Sequence, residues 1–154
     1  MLRNFIGVFV AALTLVGVHS VAVAGQGTAD EAKAMVEKAA KLIESEGMDK
    51  AIATFNAPES GYKDRDLYIV VVDMKTGAAL AHAANQALVG KAMLAAKDAD
   101  GKLFVKESID VAQASGSGWV DYKWVNPVTK KIEQKSMFVK KVGDLFVGCG
   151  IYKS

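Results

Sequence analysis

Histidine, cysteine and proline are scarce in this chain, and each scarcity removes a class of function. Only two histidines occur in 154 residues. His19 falls in the leader described below, so His82 is the one left for the folded protein, and a histidine-rich metal site is excluded. A Ser-His-Asp triad would need His82 as its base, but no Gly-x-Ser-x-Gly elbow precedes a helix; Gly116-Ser117-Gly118 runs into a strand instead. Catalysis is therefore not expected. The single cysteine, Cys149, rules out a disulfide within the chain and, set between Gly148 and Gly150 in an apolar stretch, reads as a small buried hydrophobe. The two prolines, Pro58 and Pro127, act as punctuation.

An excess of charge of either sign is also lacking. The N-terminal segment has the form of an export signal: Arg3 supplies the positive start, Phe5 to Val18 is apolar, and Ala22-Val23-Ala24 is a small-residue cleavage site. That apolar run is shorter than the roughly 20 residues that span a bilayer as a helix. Residues 1–24 are thus expected to be a cleaved signal peptide and residues 25–154 one domain exported to the periplasm, without a stable membrane span. Removing the leader takes Arg3 away and leaves 18 Lys and Arg against 17 Asp and Glu, a balance that argues against nucleic acid as a partner.

What is present is a clear alternation of helical and strand periods. Thr28-Ala29-Asp30-Glu31 has capping-box spacing, and Ala32, Met35, Val36, Ala39, Leu42 and Ile43 form one apolar stripe, so a helix is expected up to Gly47. A second helix is expected from Asp49 to Phe55, closed by Pro58 and Gly61, the two forming an N-terminal helical lid. Leu67 to Asp73 reads as a buried strand that turns through Met74-Lys75-Thr76-Gly77 into Ala78 to His82. A weak helical segment is expected between Gly90 and Asp98, and a further helix from Leu103 to Ala114. Asp98-Ala99-Asp100-Gly101-Lys102 begins like a calcium loop, but its glycine is misplaced and no glutamate follows at the required spacing, so it reads as a turn.

Three strands follow, Trp119 to Asn126, Lys131 to Lys141 and Leu145 to Tyr152, joined by connections too short for anything but antiparallel neighbours. The order α-α-β-β-α-β-β-β implies an α+β domain built on a five-stranded antiparallel sheet. Period-two alternation puts Val120, Tyr122 and Trp124 on one face and Trp119, Asp121, Lys123 and Val125 on the other. The next strand carries Glu133, Lys135, Met137 and Val139 on one face and Ile132, Gln134, Ser136 and Phe138 on the other. With apolar residues on both faces, Lys135 must either reach water along the surface or meet an anion.

Several stretches together resemble the single Cache domain in its second common form. They are Tyr68 to Asp73, Gly77, Leu80-Ala81-His82, Leu88-Val89-Gly90-Lys91, Asp98 to Lys102, Gly118 to Pro127, Lys135 to Lys140 and Gly148 to Tyr152. The resemblance implies a PAS-like fold, an extracytoplasmic position and the sensing of a small metabolite, a short carboxylate or an amino acid. It implies a pocket of Tyr68, His82, Trp119, Tyr122, Trp124 and Lys135, with Lys135 neutralising a carboxylate and no cofactor or metal. Ala83 follows His82 where the family often carries proline. The sequence runs out two residues after Tyr152, so a free periplasmic binding protein is expected, working through a membrane-bound chemoreceptor or sensor kinase. The other reading open at this point is an interaction module whose aromatic core is filled and holds no ligand.

Overall fold

The computed structural model describes residues 25–153. The expected signal, residues 1–24, lies outside the described residues. Helix α1, Ala29–Glu46, begins at the capping box: Thr28 Oγ1 accepts the Glu31 amide and Glu31 Oε2 accepts the Thr28 amide. Two of the amides that a helix start leaves orphaned are thereby satisfied. Ala32, Val36, Ala39, Ala40 and Ile43 are its buried positions, three of them alanine, which lets the helix lie close on the sheet. Gly47 then takes a positive φ of 86°, open to glycine at little cost, and the chain turns at once into α2, Met48–Asn56.

Two short strands follow, β1 (Lys63–Asp64) and β2 (Leu67–Tyr68), paired as a ribbon. The main sheet comprises β3 (Val70–Asp73), β4 (Ala79–His82), β5 (Ser117–Val125), β6 (Ile132–Val142) and β7 (Leu145–Lys153) in the order β4-β3-β7-β6-β5, every pair antiparallel. The expected strand Leu67 to Asp73 is thus divided at Ile69. Its amide bonds to the Tyr62 carbonyl and its own carbonyl accepts the Ala83 amide, both at 3.0 Å, so Ile69 is held outside the main ladder.

Helix α3, Phe104–Ser115, matches the expected helix, but Gly90 to Asp98 is not helical. A single 3-10 turn, Gln86–Leu88, and a long loop occupy residues 83–103. The loop is fastened by one carboxylate. Asp98 Oδ1 accepts the amides of Asp100 and Lys102, and Asp98 Oδ2 accepts the Lys123 amide of β5, each at 2.9 Å.

The sheet is covered on both faces. Helices α1 and α2 bury Phe55, Ile69, Val71, Ala81, Val147 and Cys149 on one side, while α3 and the 83–103 loop bury Val72, Val120, Tyr122, Met137, Val139 and Phe146 on the other. Each fully buried Val, Ile or Phe side chain contributes about 1.5–3 kcal/mol relative to exposure. Burial also pushes the Cys149 thiol up to about 11, so it stays protonated, 3.8 Å from Met35 Sδ. Helices α1 and α2 were expected to form a lid; they instead back the sheet on the face away from the cavity described below, whose roof is α3 and the loop.

Candidate functional site

Cross-strand register builds the site. Tyr122 of β5 faces Lys135 of β6, and Lys135 faces Tyr152 of β7, which places the three in one row across the sheet on the α3 face. Tyr68 of β2 joins the end of that row. On the same face β7 carries Gly148 and Gly150, and the space above them is taken by Met137 and by the stem of Lys135: Cβ atoms added there would lie 2.9 Å from Met137 Sδ and 2.5 Å from Lys135 Cε.

Lys135 is 1% exposed and makes no ion pair among the described residues. Its ammonium donates to Tyr68 Oη at 2.6 Å. Around it stand the rings of Tyr68, Tyr152 and Tyr122, with centroids 3.9, 5.1 and 5.9 Å from Nζ, partial compensation through their electron-rich faces. Since Tyr68 Oη accepts from Lys135, its proton is left for Tyr152 Oη at 3.0 Å, and Tyr152 donates onward to the Val125 carbonyl at 2.8 Å. The chain of donors therefore runs one way, from Lys135 outward. Burial lowers the Lys135 pKa to about 7 and raises those of Tyr68, Tyr122 and Tyr152.

His82, opposite Val70 at the end of β4, stacks on Tyr68 at 5.0 Å. Its Nδ1 accepts the Asn85 amide at 3.0 Å, which puts the proton of the neutral ring on Nε2. Burial, aided by the Lys135 charge, lowers its pKa to about 4, so at neutral pH His82 is an uncharged donor. Tyr122 stacks face to face on Phe104 at 4.5 Å, and its hydroxyl reaches only Met137 Sδ, at 3.6 Å. A thioether is a weak acceptor.

Tyr68, His82, Tyr122 and Trp124 line a cavity of about 30 Å³ completed by Leu88, Met93, Val105, Met137 and Phe146 among others. That is room for about one or two waters. Lys135 adjoins this space without being part of its wall, held back by Tyr68. No Asp or Glu lines it. A larger, open cleft of about 590 Å³ lies at the end of α2 against Pro58, Glu59, Lys63, Arg65 and Gln86, but it contains none of the expected residues, and its Arg65 is already bound to Asp64 and Glu31.

Five of the six expected residues thus come together, four on the wall and Lys135 beside it. Trp119 does not join them. Alternation turns it to the α1 face, where it packs on Phe138 at 5.4 Å under Lys33, with the sheet between it and the cavity. Sequence reasoning passed over Tyr152 and Gly150, although the spacing Phe146, Gly148, Gly150, Tyr152 already marks one face of one strand. It also passed over Asp66, which is 1% exposed: Oδ1 accepts the Gly27 amide at 2.7 Å, while Oδ2 has no protein partner. Among the described residues no three metal-ligating side chains cluster, and no helix is long and apolar enough to cross a membrane.

A methyl-accepting chemotaxis protein from Vibrio parahaemolyticus RIMD 2210633 superposes with a TM-score of 0.68 at 22% identity, over 80% of this chain and 86% of that one. The periplasmic sensor domain of a chemotaxis protein gives 0.61 at 27% identity, over 81% and 90%. A Cache chemosensory domain, solved for the structural basis of its carboxylic acid recognition, gives 0.62 at 19% identity, over 81% and 88%. No curated protein matches. The family model for Single Cache domain 2 matches residues 8–154. A five-stranded antiparallel sheet clasped between α1 and α3, matched over nearly its whole sequence by that model, belongs to the single Cache domain family of sensors.

Proposed function

We propose that residues 25–154 form a periplasmic binding domain, freed from a signal over residues 1–24, that takes up a short carboxylate and works through a separate membrane-bound chemoreceptor or sensor kinase. The observation that carries this reading is Lys135: a fully buried ammonium with three protons to donate, one hydroxyl acceptor and no carboxylate. Buried charges left this way are costly, and an anion brought into the cavity relieves the cost. A carboxylate is the stronger acceptor, so it displaces the Tyr68 hydroxyl that holds Lys135 in the empty state. His82 Nε2–H and the hydroxyls of Tyr68 and Tyr122 supply further donors, and Trp124 with Phe104 and Met137 accommodates a short apolar remainder. With no acidic side chain on the wall to take an ammonium, a plain carboxylate fits better than an amino acid. A Cache chemosensory domain of the same fold recognises carboxylic acids, which supports this reading.

The small volume of the cavity favours a second reading, an adaptor whose aromatic core is simply filled. The two separate in a thermal-shift screen of the protein against formate, acetate, propionate, pyruvate and lactate, because a ligand that binds only the native state raises its apparent stability. Binding predicts a saturable rise that Lys135→Met abolishes. No rise with any of them, or an equal rise in Lys135→Met, removes the carboxylate reading.

A further inference from the structure

We propose that the tip of the β5–β6 hairpin is a docking surface for an anionic lipid bilayer. Val125 and Ile132 are cross-strand partners at the end of that hairpin, and Val128 sits in the turn between them. By alternation Val125 and Ile132 belong to the α1 face of the sheet, yet no helix covers them: the three side chains are 47%, 61% and 57% exposed, in the order Val125, Ile132, Val128. Three of the six exposed large apolar side chains among the described residues thus fall within one hairpin end.

The tip is held in shape before anything docks. Asn126 Oδ1 accepts the Val128 and Thr129 amides, the Asn126 amide bonds to the Lys131 carbonyl, and the Lys130 amide bonds back to Asn126. Lys130 sits at a φ of 61°, an uncommon conformation for a side-chain-bearing residue that the turn enforces. A rigid apolar tip loses little freedom on docking.

Charge selects the occupant. Lys130 and Lys131 flank the tip, Lys97 borders the shallow depression shared by Val125 and Ile132, and none of the three makes an ion pair among the described residues. Asp100 and Asp121 pair with Lys123 and Lys153, while Asp98 and Glu133 keep their charge and are held in place by backbone amides and by Asn126 and Thr129, so the three lysines outnumber the two carboxylates without a basic partner. Apolar side chains ringed by free lysines match the interface of an anionic membrane.

The hairpin end is also tied to β7. Lys153 pairs with Gln134, two residues from Ile132, and Tyr152 bonds to the Val125 carbonyl.

The test uses protein recovered from the exported fraction of cells, sedimented with vesicles of phosphatidylglycerol and phosphatidylcholine mixed or of phosphatidylcholine alone. Two independent variants are compared, Val128→Ser with Ile132→Ser, and Lys130→Glu with Lys131→Glu; all four sites are exposed, and an unchanged melting temperature checks the fold. The expected result is binding to the mixed vesicles that high salt releases and that each variant weakens by about tenfold or more. Equal binding of wild type and both variants, binding insensitive to salt, or no binding overturns the proposal. So does a photo-crosslinker at position 128 that captures a protein in place of lipid in whole cells.

Discussion

Gly150 and Lys135 share one space: a Cβ on Gly150 would lie 2.5 Å from Lys135 Cε, 2.9 Å from the Ser136 carbonyl oxygen and 3.1 Å from Met137 Cα. Two of those three atoms are backbone and cannot swing away. Gly150→Ala is therefore expected to lower stability by about 1–3 kcal/mol through overpacking and to push the lysine stem out of its groove. Denaturant unfolding checks the first effect. The second is read as a loss of carboxylate affinity beyond that of an equally destabilising change elsewhere in the core, such as Val36→Ala.

Lys135 gives stability a pH dependence of known sign. Its pKa is about 7 in the folded protein against 10.5 for the free side chain, so between those values the unfolded chain binds more protons. Stability should rise as pH climbs from 7 toward 10 and be lost again as pH falls back through 7. Urea melts at several pH values across that window, on wild type and Lys135→Met, test this. The variant should lose the slope, and at neutral pH it should be no less stable than wild type, since replacing a buried charge with an apolar side chain is often neutral or favourable.

A carboxylate bound at Lys135 favours the charged ammonium, so binding takes up protons once the pH exceeds 7. Affinity should then fall about tenfold for each pH unit well above 7 and level off below it. Calorimetry in buffers of different ionisation enthalpy measures the proton uptake directly. An affinity independent of pH from 6 to 9 would place the anion elsewhere.

The Tyr122 hydroxyl has only the Met137 thioether as partner. Tyr122→Phe should therefore change the stability of the ligand-free protein by less than about 1 kcal/mol. If that hydroxyl donates to the bound carboxylate, the same change weakens binding by roughly the value of one charge-assisted hydrogen bond. The contrast between an unchanged melting curve and a changed titration is the readout.

Asp98 joins the loop over residues 83–103 to β5 through three amides, which hold its carboxyl below the usual range. Asp98→Ala is expected to free that loop. Hydrogen exchange at the amides of Asp100, Lys102 and Lys123 should quicken, while exchange in α1 and β7 stays as in wild type.

The helices and the three long strands were legible because their periods are long and their stops are chemical: Thr28 with Glu31, Gly47, Gly116, Pro127. Alternation alone grouped Tyr122 with Trp124 and Lys135 with Met137, the register then joined the two faces, and alternation also sets Trp119 on the face opposite Trp124, although the family resemblance groups the two. What did not show was anything that depends on register between strands distant in sequence. That Tyr152 lies beside Lys135, or that Gly150 makes room for it, requires knowing that β7 inserts between β3 and β6. The break at Ile69 was hidden for a similar reason, since a run of Ile and Val reads as one strand whichever ladder each residue joins. Asp66 gave no signal at all, because a carboxylate between Arg65 and Leu67 reads as an ordinary surface turn.

The roof over the cavity turns recognition into a matter of time. Beneath α3 and a loop latched by Asp98 there is space for little more than a water, so the binding proposed above requires that latch to open. At high ligand concentration the observed association rate should stop rising and settle at the rate of opening. A domain that bound its ligand this way would report an average over the dwell time of its own roof.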